Sequence, residues 1–113
     1  MTKESIEPYS EFKNTITYLQ KNFKGSVNIK ELAYQNAMSV STFERKFKKH
    51  FACSPSQFIK KLRIDHACDL LNLNYDIAEI ALKCGFCDQS YFSKEFKKVM
   101  KMTPRQFKVN CKN

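Results

Sequence analysis

Two stretches of the sequence place hydroxyl groups and cations on a helical face that lies opposite a pair of phenylalanines. In the first stretch, Phe43 and Phe47 are one helical turn apart and would both face the core. At about 100° per residue, the opposite face consists of Ser41, Arg45 and Lys48, flanked by Thr42, Glu44 and Lys49.

The second stretch has the same arrangement, with Phe92 and Phe96 on the core side. Its opposite face consists of Ser90, Lys94 and Lys97, flanked by Tyr91, Ser93 and Lys98. Polar groups near the start of a helix can hydrogen-bond to base edges, and lysines can contact phosphates. Most charged helix faces are only solvated, but the occurrence of two such faces favours nucleic acid. Stacking of the phenylalanines on single-stranded bases is disfavoured because they lie opposite the cations.

The segment Cys84-Gly85-Phe86-Cys87 is a second candidate for chemistry. A structural zinc site needs four ligands, and the sequence has no second pair of this spacing. Redox pairs of this type accompany a βαβ pattern, which is not predicted here. His50 and His66 have no nucleophile and carboxylate at suitable spacing. We therefore predict no metal, no cofactor and no enzymatic activity; the alternative is a thiol- or metal-responsive binding module.

Helix-start signals divide most of the chain. The predicted N-terminal caps are Asn28, Ser39, Ser54, Asp76, Asp88 and Thr103, and a Glu or Gln three residues later completes a capping box after Asn28, Ser54, Asp76 and Thr103. Gly25 is placed to end the first helix, and Gly85 the fifth. The seven predicted helices are Tyr9–Phe23, Ile29–Asn36, Val40–His50, Pro55–Leu71, Ile77–Cys84, Gln89–Met100 and Pro104–Val109.

An internal duplication relates the two halves of the chain. At an offset of 48 residues, Ile29-x-Glu31-x-Ala33 matches Ile77-x-Glu79-x-Ala81. At an offset of 49 residues, the matching residues of the first unit are Ser41, Phe43, Phe47, Lys48, Lys49, Pro55, Gln57 and Phe58. Each unit is a short helix, a turn and a second helix with a basic face, which is the helix-turn-helix pattern. We predict an all-α fold with two such subdomains, at about residues 9–54 and 75–110.

The helix over residues 55–71 has two apolar sides, which is typical of a connector packed against both subdomains. One side contains Phe58, Ile59, Leu62 and Leu70, and the other contains Ile64, Ala67, Cys68 and Leu71. Its ~17 residues would span ~25 Å. Successive major grooves on one face of a duplex are ~34 Å apart, so bending of the DNA would absorb the difference.

The composition agrees with a nucleic-acid partner. Twenty basic residues against 11 acidic ones give a net charge of +9, and such an excess favours a polyanion. The odd number of cysteines and the polar start, Met1–Tyr9, predict a cytoplasmic protein with reduced thiols. No stretch approaches the ~20 apolar residues of a membrane span, so we predict no membrane association.

The pattern resembles the AraC/XylS family of bacterial transcription regulators. The residues that carry the resemblance are Gly85-Phe86-x-Asp88-x-Ser90-Tyr91-Phe92-Ser93-Lys94-x-Phe96-Lys97-Lys98 and Thr103-Pro104-x-x-Phe107, with Ile29-x-x-Leu32-Ala33 and Ser39-x-Ser41-x-Phe43-x-Arg45-x-Phe47-Lys48 in the first unit. The resemblance covers about residues 11–108. The chain departs from the family at Ala37 and Lys101, where glycine is usual, and at Lys94, where arginine is more common.

The resemblance implies a single DNA-binding domain over residues 1–113 that reads adjacent major-groove segments with helices 40–50 and 89–100. The implied base contacts are Ser41, Thr42, Glu44 and Arg45 in the first unit, and Gln89, Ser90, Ser93 and Lys94 in the second. The expected phosphate contacts are Lys48, Lys49, Lys97 and Lys98. Expected partners are double-stranded DNA, RNA polymerase and an N-terminal ligand-binding or receiver domain outside this chain. A nonspecific polyanion binder remains a further alternative.

Overall fold

The computed structural model describes residues 12–112, and these residues form seven α-helices. The helices are α1 (Lys13–Asn22), α2 (Ile29–Gln35), α3 (Val40–Phe51), α4 (Pro55–Leu71), α5 (Ile77–Lys83), α6 (Gln89–Met100) and α7 (Pro104–Lys112). The described residues contain no β-strand, which confirms the all-α prediction.

Short-range hydrogen bonds fix the starts of most helices. The side chain of Asn28 accepts from the Glu31 N–H at 3.2 Å, and that of Asp88 accepts from the Tyr91 N–H at 2.8 Å. Before α4 and α7 the capping boxes are reciprocal: the Ser54 and Thr103 hydroxyls accept from backbone N–H groups at 3.1 Å, and their own N–H groups donate to Gln57 and Gln106 at 2.9 Å. Each such bond satisfies a backbone donor that has no partner within the helix.

The predicted capping box at Asp76 is wrong. Asp76 occupies the N-cap position of α5 with extended backbone, but its side chain makes no capping hydrogen bond. The sequence therefore predicts the start of α5 correctly, but the side-chain hydrogen bond that usually accompanies an N-cap aspartate is not made.

The first helix is shorter than predicted, and Gly25 does not end it in the expected way. Residues 9–11 of the predicted helix lie outside the described range, and α1 ends at Asn22. Gly25 is not among the residues with positive φ. A tertiary contact satisfies the following carbonyl groups instead, because Arg63 donates to the Phe23 oxygen at 2.7 Å and to the Gly25 oxygen at 2.9 Å. At the other end of the chain, α7 continues three residues past the predicted Val109, since neither proline nor glycine follows.

The chain divides into two compact units. Among the described residues, unit 1 comprises residues 12–22 and Ser26–Ile59, and unit 2 comprises Phe23–Gly25 and residues 60–112.

Unit 1 has an aromatic core. Phe12, Phe43 and Phe47 are fully buried. The ring of Phe47 lies 4.6 Å from that of Phe51 and 5.6 Å from that of Phe58, measured between centroids. Tilted and edge-to-face rings at these distances pack favourably. The phenylalanines of α3 thus pack inward, which leaves the polar side of that helix outside the core.

Unit 2 has a mixed aliphatic and aromatic core drawn from α4, α5 and α6. Its buried residues are Ile64, Ala67, Leu70, Leu71, Ile80, Ala81, Cys84, Phe86, Phe92 and Phe96, of which Cys84 and Phe86 lie in the turn between α5 and α6. Leu70 packs in the same cluster as Ile64 and Ala67, although its predicted position is on the other apolar side of α4. The burial of α4 therefore changes along its length: Phe58 and Ile59 belong to unit 1, and the later residues belong to unit 2.

Candidate nucleic-acid interface

Helix α3 presents the predicted polar face to solvent. Ser41, Glu44, Arg45, Lys48 and Lys49 are exposed, while Phe43 and Phe47 on the opposite side are fully buried. Burial of the phenylalanines fixes the rotation of the helix, and this rotation sets which side chains face outward.

Thr42 differs from its neighbours on this face. The Ser39 hydroxyl, which caps α3, accepts from the Thr42 N–H at 3.2 Å and donates to the Thr42 Oγ1 at 3.1 Å. Thr42 is half-buried. A threonine Oγ1 has a second lone pair and its own proton, so it can still hydrogen-bond to a base while it supports the cap.

Helix α6 presents an equivalent face. Gln89, Ser90, Lys94, Lys97 and Lys98 are exposed, Ser93 is half-buried, and Phe92 and Phe96 are fully buried. The ring of Phe96 lies 5.6 Å from that of Phe92 and 5.6 Å from that of Phe107 in α7. The aromatic contacts hold α6 between its neighbours in unit 2.

A buried carboxylate distinguishes α6 from α3, and the spacing of residues around the two faces does not predict it. The Glu95 side chain is only 7% exposed, and its Oε1 lies 2.7 Å from the Lys60 Nζ in α4. The hydrogen bond from Lys60 lowers the pKa of the Glu95 carboxyl below its ordinary value, against the opposing effect of burial. The duplication places Lys46 at the corresponding position of unit 1. The replacement of a lysine by a glutamate at matching positions of the two units is the one signal in the sequence that could have identified Glu95.

The same carboxylate changes the surroundings of one predicted phosphate contact. The Lys98 Nζ lies 3.4 Å from the Glu95 Oε2, so the charge of Lys98 is partly balanced within the protein. Lys98 is nevertheless exposed, as are Lys48, Lys49 and Lys97.

The turns before α3 and α6 each contain a residue with positive φ. Gly85 has φ +97° and Ala37, its counterpart by the duplication, has φ +57°. A Cβ on Gly85 would lie 2.8 Å from the Lys24 oxygen and 3.0 Å from the Arg63 Nε. Glycine at position 85 is thus required by both conformation and space, whereas alanine at position 37 accepts a conformation that is costly for an L-residue.

These turns and second helices fall within a known domain family. A family model described as a helix-turn-helix domain matches residues 32–110, most of the chain. A transcriptional regulator with an AraC-type DNA-binding domain, from Chromobacterium violaceum, shares 25% sequence identity and a TM-score of 0.81, over 90% of this chain and 92% of that one. The chain belongs to the AraC-type helix-turn-helix family.

Other AraC-type proteins support this membership. The HTH-type transcriptional activator RhaS of Mannheimia succiniciproducens is 34% identical over 97 residues, which is 83% of this chain and 35% of RhaS. The chain therefore spans about a third of the length of this relative. The DNA-binding domain of AdpA, solved in complex with a target DNA, has a TM-score of 0.81 at 22% identity, over 88% of this chain and 91% of that one. At this identity the likeness shows the fold.

The cysteine pair of this AraC-type chain does not resemble a reactive site. Cys84 is fully buried, and burial raises the pKa of its thiol to about 11. Cys87 is exposed. Within the described part of the chain, no three metal-binding side chains come together in a way that could hold an ion. The thiolate is the form that binds metals and attacks disulfides. Because the raised pKa keeps the Cys84 thiol protonated at neutral pH, Cys84 is suited to packing.

No helix within residues 12–112 combines the length and apolar character needed to cross a bilayer.

Proposed function

We propose that this chain binds double-stranded DNA sequence-specifically, as the DNA-binding part of a bacterial transcription regulator, and that it acts by binding and not as an enzyme. The observation that carries the proposal is the pair of exposed polar faces on α3 and α6, each opposite two buried phenylalanines. The net charge of +9 supplies the attraction to a polyanion.

Helices α3 and α6 would each enter a major groove with their first turns toward the base edges. The proposed base contacts are Ser41, Thr42, Glu44 and Arg45 of α3, and Gln89, Ser90, Ser93 and Lys94 of α6. Arg45 is the strongest candidate for a specific contact, because its guanidinium can donate two parallel hydrogen bonds to guanine. Lys48, Lys49 and Lys97 would bind phosphates, with Lys98 contributing less because Glu95 balances part of its charge.

The names of two similar proteins also support this proposal. RhaS is a transcriptional activator, and AdpA binds a target DNA with a domain of this fold. We also propose that the regulator contacts RNA polymerase and is cytoplasmic. We further propose that it has an N-terminal ligand-binding or receiver domain.

Selection of bound duplexes from a random pool tests the proposal. We expect one sequence class to emerge, bound on the order of 10³-fold or more tightly than a shuffled duplex. Equal affinity for all duplexes would instead support a nonspecific polyanion binder. Stoichiometric zinc in the purified protein, with loss of folding in chelator, would support a metal-responsive module.

Substitution of Arg45 tests its role in reading bases. We expect Arg45→Ala to weaken binding to the selected sequence by about 1–3 kcal/mol and to change binding to the shuffled duplex little. Lys30→Ala is the matched control, since Lys30 is an exposed cation of unit 1 in α2 rather than α3. Equal losses on both duplexes for Arg45→Ala would show that Arg45 contacts only phosphate.

A further inference from the structure

A groove with two cations in its wall opens beside the start of α6 in unit 2, and neither predicted set of contacts includes these cations. Its larger cavity has a volume of about 520 Å³ and is lined by Asp76, Ile77, Gln89, Arg105 and Lys108, among others. A second cavity of about 230 Å³ shares Ile77, Gln89 and Arg105 with the first and adds Ser93 and Thr103. The shared residues show that the two cavities adjoin, and we refer to them together as the α7 groove.

The α7 groove is continuous with the face of α6. Gln89 and Ser93, which belong to the proposed base contacts, form part of its wall. A duplex seated against the first turn of α6 would therefore bring its backbone to the mouth of the groove.

The charge of the groove suits a phosphate. Arg105 is exposed and lines both cavities. The Lys108 Nζ donates to the Tyr75 oxygen at 3.0 Å, which holds the ammonium group at the groove and uses one of its three N–H donors. Asp76 also lines the larger cavity. Arg105 is the principal candidate ligand, because it is exposed and has forked donors that can bind two phosphate oxygens.

Unit 1 has no counterpart of these cations. By the duplication, Ser56 corresponds to Arg105 and Ile59 corresponds to Lys108. Ile59 is buried. The two units therefore differ between α4 and α7, the helices that follow α3 and α6, as well as between α3 and α6 themselves.

We propose that the α7 groove binds the sugar–phosphate backbone of the duplex next to the segment that α6 contacts, with Arg105 as the main phosphate ligand and Lys108 in support. This inference rests on the proposed DNA-binding function. It assigns unit 2 a backbone clamp that unit 1 lacks.

Salt titrations of binding between 50 and 200 mM test the clamp, with both the selected duplex and a mixed-sequence duplex as probes. For Arg105→Ser, which introduces the residue type found at position 56, we expect the slope of log affinity against log salt to become shallower by about 0.9. The affinity should fall by the same factor on both probes, because a phosphate contact carries no sequence information. Lys61→Ser is the matched control, since Lys61 is an exposed cation of unit 2 outside the groove.

Duplexes with single neutral methylphosphonate linkages locate the contact. Neutralising the phosphate bound by Arg105 should weaken DNA binding by the wild-type protein and leave DNA binding by Arg105→Ser unaffected. The phosphates whose neutralisation no longer affects binding by Lys97→Ser should be different ones, since Lys97 lies on α6 outside the groove.

The outcomes separate the two proposals. An unchanged slope and affinity for Arg105→Ser, or an equal change in Lys61→Ser, would overturn the clamp and leave DNA binding in place. Failure of the wild-type protein to bind any duplex would overturn both. Thermal melting followed by circular dichroism should show that Arg105→Ser remains folded, as expected for an exposed residue.

Discussion

Ala37 is held in a backbone conformation that glycine adopts at lower cost. Its φ is +57°, and the duplication pairs it with Gly85 at φ +97°. The left-handed conformation costs an L-residue roughly 1–2 kcal/mol, part of which the greater freedom of glycine in the unfolded chain offsets. We expect Ala37→Gly to raise the free energy of unfolding by about 1 kcal/mol, as measured by urea denaturation.

Two substitutions serve as controls for Ala37→Gly. Ala78→Gly, at an exposed helical position in α5, should lower the free energy of unfolding by about 0.5–1 kcal/mol. Gly85→Ala should lower it by about 1–3 kcal/mol, because the new Cβ would meet the Lys24 oxygen at 2.8 Å. A loss of stability in Ala37→Gly would show that something other than φ governs this turn.

The two cysteines around Gly85 should differ sharply in reactivity. Cys87 is exposed, whereas Cys84 is buried with a thiol pKa raised to about 11. We expect a thiol reagent at neutral pH to modify Cys87 in the folded protein and Cys84 only after denaturant is added. Mass spectrometry of the digested protein distinguishes the two, and rapid modification of Cys84 in the native state would contradict the prediction.

The same contrast predicts how the pair affects DNA binding. Cys84→Ser with Cys87→Ser should leave affinity for the selected duplex nearly unchanged, with at most a loss of stability from the buried position. Loss of DNA binding in this variant, together with bound zinc in the wild-type protein, would favour the metal-responsive alternative.

The ion pair between Glu95 and Lys60 joins helix α6 to helix α4. Its oxygen–nitrogen distance is 2.7 Å, and the Glu95 side chain is almost wholly buried. We expect Glu95→Gln to lower the free energy of unfolding at neutral pH by about 1.5–3 kcal/mol, the usual contribution of a hydrogen bond to a charged group. Glu44→Gln, at an exposed position in α3, is the matched control and should change stability little.

The pH dependence of stability provides a sharper test of this ion pair. Because the folded pKa of Glu95 is lowered relative to the unfolded chain, the stabilisation is fully present above the unfolded pKa. It is lost as pH falls through the folded pKa. Urea denaturation across the acid range should therefore show a steeper loss of stability in the wild-type protein than in Glu95→Gln. Parallel curves would indicate that the carboxylate is not stabilised by folding.

The two units are equipped for different tasks. The first places Arg45 on its exposed face, and the second places Lys94 at the corresponding position. Arginine offers a planar fork that matches guanine, whereas lysine is a mobile point charge. We expect unit 1 to supply the sharper base discrimination and unit 2 mainly to position the protein, a task to which the α7 groove would contribute.

Binding to selected duplexes with single base-pair changes in each half measures this asymmetry. Changes in the half contacted by unit 1 should cost about 1–3 kcal/mol each, and those in the other half clearly less, although Gln89 could read an adenine there. Arg45→Ala should flatten the difference between the halves. Greater sensitivity in the half contacted by unit 2 would refute the argument from Arg45 and Lys94.

The helices and the two outward faces follow from the sequence alone, because both depend on neighbours within a few residues. Caps such as Ser39, Ser54 and Asp88 bond to backbone three positions away, and α4 and α6 begin and end where these signals and the spacing of apolar residues predict. The i, i+4 spacing of Phe92 and Phe96 was likewise sufficient to identify the buried side of α6.

Contacts between residues far apart in the chain could not be predicted in this way. Lys60 reaches Glu95, Arg63 satisfies the carbonyl of Phe23, and Arg105 joins Gln89 in one groove. Periodicity and capping rules describe one helix at a time, whereas each of these contacts depends on how two elements pack. A glutamate on a helix is ordinarily exposed, so the burial of Glu95 follows from the proximity of α4 and not from any local pattern.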